Sequence, residues 1–482
     1  MFVTTFVLPN FSQGEETTMM TSHSDSVETI TSYKDALIKA PLLVSQTAII
    51  GIVFNHIVFS KVLNNRIPIE PNKYSEIKQR DIGAARRIFL ILILSVTVLI
   101  VSSSGLFILE VYNLSAELGL SFSDTFSIVV DTSVGTVWLL RIVTSLLVFI
   151  LTIVYYILVK RNVNNKKKKI GRDSGSKISN IILLAILIPG SINILSNSIV
   201  SHNAAATFFP AIAISADWLH VMAVSIWLGG LFYISAILLY AIRISNDREY
   251  GTNTKEELIV RNCYSLAVML PYFSIIAIIC LGVIGISGLY MAWLQLHSIG
   301  SLFDSMYGNI LILKLCVIVP MILLGGYHQI KLHFVMVQIA QRGSKSQTQF
   351  EILPAVKQRN SKDLHKGKDH FDPFKRFSKT IKIESIIGIS VLVVSAFLTV
   401  TSPPSMVMSD SQMQMQEPAN GNLDNGGDGG GEDQSSPRMF DGFAIIALIL
   451  AATVLIASLY YYRKSRQESR ITADRLKRNG SS

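Results

Sequence analysis

The 482-residue sequence is poor in charged residues and in cysteine. Charged residues make up 16% of the chain, and its three cysteines are Cys263, Cys280 and Cys316. Soluble domains average about 25% charged residues, so this composition argues against a soluble protein. Because no two cysteines are close in the sequence, the chain shows neither a disulfide framework nor a cysteine-based zinc motif.

Motifs of catalysis are also missing. The sequence contains no Walker loop, no HExxH, no GxSxG and no haem-attachment CxxCH. We therefore predict that the protein is not an enzyme and does not use ATP. Its net charge of +10 would suit a nucleic acid. The basic residues, however, fall between alternate apolar blocks, as is typical of membrane topology, so we predict no nucleic-acid partner.

Long apolar blocks are what the sequence has in abundance. Half of its residues are hydrophobic, and many blocks reach the roughly 20 residues that cross a bilayer. They do not alternate as the short strands of a barrel would. We predict an all-α fold, a polytopic transmembrane helix bundle, whose nine spans are 41–62, 88–110, 137–159, 178–198, 211–240, 267–294, 309–332, 383–401 and 442–462.

Loop charge predicts the orientation of these spans. The loops after spans one, three, five and seven carry Lys and Arg, as in RNVNNKKKKIGRDSGSK at 161–177. The loops at 111–136, 199–210 and 295–308 carry neither, and 402–441 carries only Arg438. Basic loops stay in the cytoplasm. We therefore predict a protein of the cytoplasmic membrane with its N-terminus outside and its C-terminus inside.

Two stretches of the chain resemble each other. SGLFIL at 104–109 matches SGLYMA at 287–292, and DTSVGTVWLLR at 131–141 matches DSMYGNILILK at 304–314. Both copies run from inside to outside and back, so we predict two parallel-repeat halves. We expect an extracytoplasmic segment at 1–40, followed by an N-terminal half at 41–200 and a C-terminal half at 201–404. The C-terminal half includes a cytoplasmic loop at 336–382. After it we expect a Met-rich disordered outer loop at 405–441, an extra ninth span at 442–462 and a basic cytoplasmic tail at 463–482.

The fifth span, with SADWLHVMAVSIWLGGLF at 215–232, carries an acid and an imidazole. Asp217 and His220 lie on one helix face, at depths of roughly 9 and 13 Å from the outer end. Ionisable residues at such depth are costly and usually face the interior or a wet cavity. Neutral imidazole binds copper, zinc and haem iron. The pair is therefore either a metal or relay site, or an interhelical hydrogen bond that only stabilises the bundle.

Further residues could supply softer ligands, since thioethers select Cu(I). The metal candidates on the outer side are His202, His297, Met291, Met306, Met406, Met408, Met413 and Met415. Candidates for an inner exit are His56, His328, His333 and Met336. Residues expected to serve packing or gating are Trp218, Trp227, Gly229, Gly230, Arg141 and Lys314. We expect the last two to reach the interface or to pair with Asp131 and Asp304.

Three stretches together resemble the copper-resistance D family of inner-membrane proteins. They are DWLHVMAVSIWLGGLF, SGLYMAWLQLHSIGSLFDSMYGNILILKL and IESIIGISVLVVSAFLTVTSPP, and the resemblance covers about 211–404, with 41–200 similar more weakly. The residues that fit the family's first core motif are Asp217, Trp218, His220, Trp227, Gly229 and Gly230.

The resemblance implies a role in copper homeostasis and resistance. It implies copper passage across the cytoplasmic membrane, with uptake as the expected direction and no ATP hydrolysis. Copper, as Cu(I) or Cu(II), would be the bound or transported ion, with no organic cofactor. The expected partners are the lipid bilayer, copper ions and a separate extracytoplasmic copper-binding protein, because this chain lacks the β-domain that many relatives carry.

Two other functions stay open at this point. One is a haem-binding membrane redox protein, in which His220 and His56 would ligate haem b from facing helices. The difference in their predicted depths argues against that pair. The other is a copper sensor or scaffold that does not transport. Purified transporter should lack a Soret band, whereas a haem protein should show one.

Deleting residues 405–416 is expected to slow copper uptake at low external copper, because it removes four thioethers. Initial rates of copper accumulation in cells would measure the effect. Replacing the four Met by Ser, with the loop length kept, is the matched control and should give the same loss. An unchanged uptake rate in the deletion would refute a capture role for this loop.

Overall fold

A computed structural model describes residues 21–66, 74–165, 174–201, 209–245, 252–296, 298–327 and 371–405. Every regular element in these ranges is an α-helix, which confirms the predicted fold class. In chain order the helices are α1 (Thr21–Arg66), α2 (Tyr74–Leu118), α3 (Phe122–Asp131), α4 (Ser133–Asn165), α5 (Ser174–Ile199), α6 (Pro210–Ser245), α7 (Thr252–Gln295), α8 (Ser301–Asp304), α9 (Met306–Tyr327) and α10 (Phe371–Leu398).

Eight of these helices are long and apolar enough to cross a membrane. Their candidate spans are Tyr33–Val62, Ile88–Leu118, Ser133–Arg161, Asn180–Ile199, Pro210–Ala236, Met269–Gln295, Met306–Tyr327 and Lys379–Leu398. They correspond to the first eight predicted spans, so the chain is a multi-pass membrane protein. The predicted ninth span, 442–462, and the Met-rich loop lie outside the described residues.

The first span begins earlier than its sequence pattern predicts. The apolar run starts near residue 41, but the helix continues outward and the span begins at Tyr33. The added turns carry Lys34, Asp35 and Lys39. Because charged residues depress hydropathy, the sequence pattern places them outside the bilayer. Their presence in the span brings new charges into the bundle.

The eight spanning helices pack both within and across the two predicted halves, with α1 packed extensively on α6. In the N-terminal half, α1, α2, α4 and α5 form a closed group in which each helix packs on the next and α5 returns to α1. In the C-terminal half, α6 packs on α7 and α10, and α10 packs on α9. Contact between α7 and α9 is marginal at most, although their counterparts α2 and α4 pack side by side. The C-terminal half is therefore the more open one.

The same turn precedes the third spanning helix of each half. The Gly135 N–H donates to Thr132 Oγ1 over 3.2 Å, and the Gly308 N–H donates to Ser305 Oγ over 2.9 Å. A Cβ on either glycine would overlap the backbone of the short helix before it, α3 or α8. Both turns thus need a glycine at the matched position. This shared geometry supports the repeat predicted from the sequence. We call the end of the bundle at these turns the predicted outer end.

The two halves meet where α1 crosses α6. A Cβ built on Gly51 would overlap the backbone of Ser225 and Gly229, and one built on Gly229 would overlap Gly51. The helices therefore approach at backbone distance, as small residues allow in membrane proteins. The next residue, Gly230, faces Phe273 of α7 and Asn55 of α1. Gly229 and Gly230 thus lie at contacts between helices, and their role in packing or gating stays a prediction.

Replacing Gly229 with alanine is expected to destabilise the protein, because the added methyl group meets backbone rather than a flexible side chain. Overpacking of this kind typically costs about 1–3 kcal/mol. Thermal unfolding of the purified protein in detergent would measure the change. Gly285→Ala is the matched control, since a Cβ there meets open space. Equal midpoints for the two variants would contradict the close α1–α6 crossing.

Candidate metal site

His220 lies on α6, where it is partly buried and faces α7. Ten residues separate it from Pro210 at the start of α6, which is about 15 Å of helix. Its Nδ1 is 3.0 Å from Ser287 Oγ, and the Ser287 hydroxyl is 2.6 Å from the carbonyl of Val283. A helical serine in this position donates its single proton to that carbonyl. Ser287 must then accept from His220, so Nδ1 carries the imidazole proton.

This hydrogen bond sets the chemistry of the other ring nitrogen. With the proton on Nδ1, Nε2 of the neutral imidazole has an available lone pair. A metal-binding histidine is typically oriented in this way by a second residue that accepts from its N–H. In this tautomer Nε2 is the ring atom through which His220 could bind a metal. Ser287 was not among the predicted site residues, because a single span gives no indication of which helix faces it.

Close packing of α7 brings the imidazole to its position. A Cβ on Gly288 would lie 3.2 Å from His220 Cε1, which is tighter than ordinary contact. In the other half, a Cβ on Gly105 would lie 3.6 Å from Cγ2 of Ile38, an ordinary contact. The repeated Ser-Gly pair thus faces His220 in one half and Ile38 in the other. Only the C-terminal half has an imidazole at this place.

Asp217 lies one turn before His220, towards the predicted outer end. Its carboxylate faces the hydroxyl groups of Ser198 and Ser201 at the end of α5. The Ser198 hydroxyl is buried and has no hydrogen-bond partner of standard geometry among the described residues. Lys314 of α9 and Lys39 of α1 are both within electrostatic range of the carboxylate. Asp217 therefore lies between cations of both halves.

Charges from four spanning helices besides α6 gather around Asp217 and Lys39. Lys39 interacts electrostatically with Asp35 on its own helix, with Glu110 of α2 and with Arg141 of α4, in addition to Asp217. Its ammonium group also lies 3.4 Å from the carbonyl of Thr399, just after α10. Asp35, Lys39 and Glu110 were missed by the sequence analysis. The sequence did contain one indication of Asp35: it precedes Ile38 by three residues, just as Asp217 precedes His220 in the other half.

Arg141 and Lys314 do not have the partners that we expected. Asp131 and Asp304 are exposed at the ends of the short helices. Arg141 instead donates from Nε to Ser196 Oγ over 3.0 Å, and its guanidinium lies 4.3 Å from the centre of the Trp138 ring. Lys314 has Asp217 within electrostatic range. Both basic residues turn into the bundle because the interior offers polar partners there.

The two tryptophans of α6 join it to its neighbours. Trp218 donates from Nε1 to the carbonyl of Ser191 in α5, over 3.2 Å. Trp227 is 5% exposed and belongs to the main apolar core. These contacts fix the rotation of α6, and so they direct Asp217 and His220 inward. The packing or gating role expected of both tryptophans stays a prediction.

At the opposite end of the bundle, His56 of α1 contacts Tyr233 of α6. His56 Nδ1 is 3.0 Å from the Tyr233 hydroxyl. Tyr233 follows His220 by thirteen residues on the same helix, which is about 20 Å. His56 and His220 are therefore too far apart along the bundle axis to ligate one haem iron. The geometry argues against the predicted haem pair.

A buried acid of α10 was also missed. Glu384 is 1% exposed, and one of its carboxylate oxygens lies 3.3 Å from the Cβ position of Gly325 in α9. It lies near the inner end of its span, on the opposite side of the bilayer from Asp217 in the predicted topology. In the sequence, IKIESII indicates only the start of an apolar block and not the burial of Glu384. Its burial against α9 is a tertiary effect.

The remaining predicted ligands are distributed as follows. Met306 is exposed on α9, and Met291 is partly buried on α7. Within the described ranges, no group of three or more His, Cys, Asp or Glu lies close enough to form a metal centre. The described residues therefore contain no site made of three or more such side chains. The candidates that lie outside the described residues are His202, His297, His328, His333, Met336, Met406, Met408, Met413 and Met415.

Comparison with known proteins agrees with this chemistry. Residues 267–398 match the family model of copper resistance protein D. This confirms the resemblance for a segment that includes Ser287, Gly288 and Lys314. The match begins after α6, so it does not include Asp217 or His220 themselves. Within the matched segment, α7 carries the Ser287 that bonds to His220.

A curated relative carries a related name. The copper transport protein CutJ of Bacillus subtilis (strain 168) is 27% identical over 212 residues. The aligned region covers 44% of this chain and 29% of the relative. The chain therefore spans less than a third of the length of the curated relative it matches. No solved structure matches the chain.

Replacing Gly288 with alanine is expected to displace the His220 ring, because the new Cβ lies 3.2 Å from Cε1. Cu(I) affinity should fall about 10–100-fold, as for other losses of ligand orientation. Titration with a competing Cu(I) chelator would measure it. Gly105→Ala is the matched control, because the same change in the other half meets only Ile38. Equal affinities in both variants and the wild type would exclude His220 as an oriented ligand.

Proposed function

We propose that this protein transports copper across the cytoplasmic membrane, inward and without ATP hydrolysis. The observation that carries the proposal is the orientation of His220. Its protonated Nδ1 bonds to Ser287, within the segment that matches copper resistance protein D, and its Nε2 is available to a metal. A helix bundle with a ligand-ready imidazole inside it suits passage of an ion.

The proposed path begins at the predicted outer end. His202, His297 and the four Met of the 405–416 segment would capture copper there, because soft and borderline ligands bind Cu(I). Copper would then pass Asp217 to His220. The carboxylate attracts the cation, and Lys314 and Lys39 are close enough to modulate that attraction. A separate copper-binding protein outside the membrane would deliver the ion.

The inner part of the path would use ligands near the cytoplasm. His56 lies on α1 at the boundary between the halves, bonded to Tyr233. His328, His333 and Met336 follow α9 in the sequence and would receive the ion before release. Transport would take place in the C-terminal half, where contact between α7 and α9 is marginal at most. The closed N-terminal half would serve as its support.

Replacing His220 with alanine is expected to reduce copper uptake at least about 10-fold, because the path loses its central ligand. Proteoliposomes loaded with a Cu(I) chelator would report the initial rate. Ile38→Ala, at the matched place in the other half, is the control and should transport like the wild type. Similar rates in His220→Ala and the wild type would favour a scaffold or sensor. A Soret band in the purified protein would instead favour the haem alternative.

A further inference from the structure

Arg141 lies on the interior face of α4. The side chain is 3% exposed, whereas Leu139 and Val143, on the opposite face, are 47% and 59% exposed. The exposed face is apolar and meets lipid. Arg141 lies eight residues after the first residue of α4, or about 12 Å along the helix. It is therefore a buried cation in the outer half of the predicted topology, and it turns away from lipid head groups.

This cation has no acidic partner in the described part of the chain. Nε donates to Ser196 Oγ, and the guanidinium lies over the Trp138 ring. No described carboxylate contacts it. The terminal nitrogens are not among the side-chain atoms that are both sealed from solvent and unbonded. They therefore keep some contact with solvent.

The repeat shows that this lack of a partner is specific to the N-terminal half. Lys314 occupies the matched position in α9 and has the carboxylate of Asp217 within range. In the N-terminal half the matched acid, Asp35, interacts with Lys39 instead. The acid of that half is thus engaged by another cation. Arg141 is left with neutral neighbours and with Lys39 as a second positive charge nearby.

A polar network fixes the backbone beneath Arg141. Asn193 of α5 donates to the Arg141 carbonyl over 3.0 Å, and also to Thr144 and Ser145. Gln46 of α1 donates to Asn193 Oδ1 over 2.7 Å. These bonds join three helices in the buried interior. They hold Arg141 in one position, as a preformed binding site requires.

We propose that the terminal nitrogens of Arg141, whose guanidinium is held by Ser196 and Trp138, bind a small inorganic anion such as chloride. A buried guanidinium without a carboxylate is stabilised by an anion that replaces the lost hydration. The preformed position of Arg141 reduces the cost of binding. The site is separate from His220, and anion binding requires no copper. A lipid phosphate has the same charge, but the burial of Arg141 behind an apolar lipid-facing surface favours the smaller ion.

Purified full-length protein, free of copper, tests the proposal through its thermal unfolding. The midpoint temperature of unfolding should be about 2 °C or more higher in sodium chloride than in sodium gluconate at equal ionic strength. The reason is that chloride would bind the folded state and so stabilise it. Arg141→Gln should abolish this difference. Lys314→Gln, at the matched position of the other half, should retain it. Equal midpoints in the two salts for the wild type would overturn the proposal.

A second measurement covers the case in which Arg141→Gln does not fold. Sodium iodide should quench the fluorescence of Trp138 in the wild type. The contribution of Trp138 is obtained by subtracting the fluorescence of the Trp138→Phe variant from that of the wild type. Ser196→Ala should raise the half-quenching concentration several-fold, since the guanidinium loses its anchor. No change in that concentration would contradict the site. Quenching that occurs in phosphatidylcholine nanodiscs but is lost in phosphatidylglycerol nanodiscs would assign the site to lipid phosphate and overturn the small-anion proposal.

Discussion

The backbone approach of α1 and α6 at Gly51 and Gly229 is the contact on which the rest of the structure depends. Each glycine occupies the space that a Cβ on the other would need. The crossing joins the two halves and sets the rotation of both helices. As a consequence, Lys39 on α1 comes within electrostatic range of Asp217 on α6. Nearer the other end, the same helix pair brings His56 to Tyr233.

Charge compensation is the second constraint. The cluster at the predicted outer end contains three acids and three bases, so its formal charge is zero. Its members are Asp35, Lys39, Glu110, Arg141, Asp217 and Lys314. Isolated charges in a bilayer are costly, and compensation across the cluster lowers that cost, although Arg141 contacts none of its three acids. A cation that reaches Asp217 adds a positive charge to a balanced cluster. An anion bound at Arg141 would offset that added charge. This connection between the two sites depends on the proposed copper transport.

The fold could be predicted from the sequence further than the site could. Apolar length and loop charge are local properties, and they located the eight described spans. The contacts of the site are between helices, so the pattern within one span does not contain them. Ser287 and Gly288 belong to a recognisable repeat, yet only the packing of α7 on α6 places them against His220. Lys39 was missed because its own charge shortened the predicted first span.

The differences between the halves explain why a metal site would form in only one. Both copies keep the Ser-Gly pair, the turn glycine and a basic residue. Ile38, however, has no ligand atom where His220 has an imidazole, and α2 packs on α4 where α7 and α9 remain apart. A metal path requires both a ligand and room for the ion to pass. The C-terminal half has the ligand and the more open packing, whereas the four spanning helices of the N-terminal half pack into a closed group with a buried arginine.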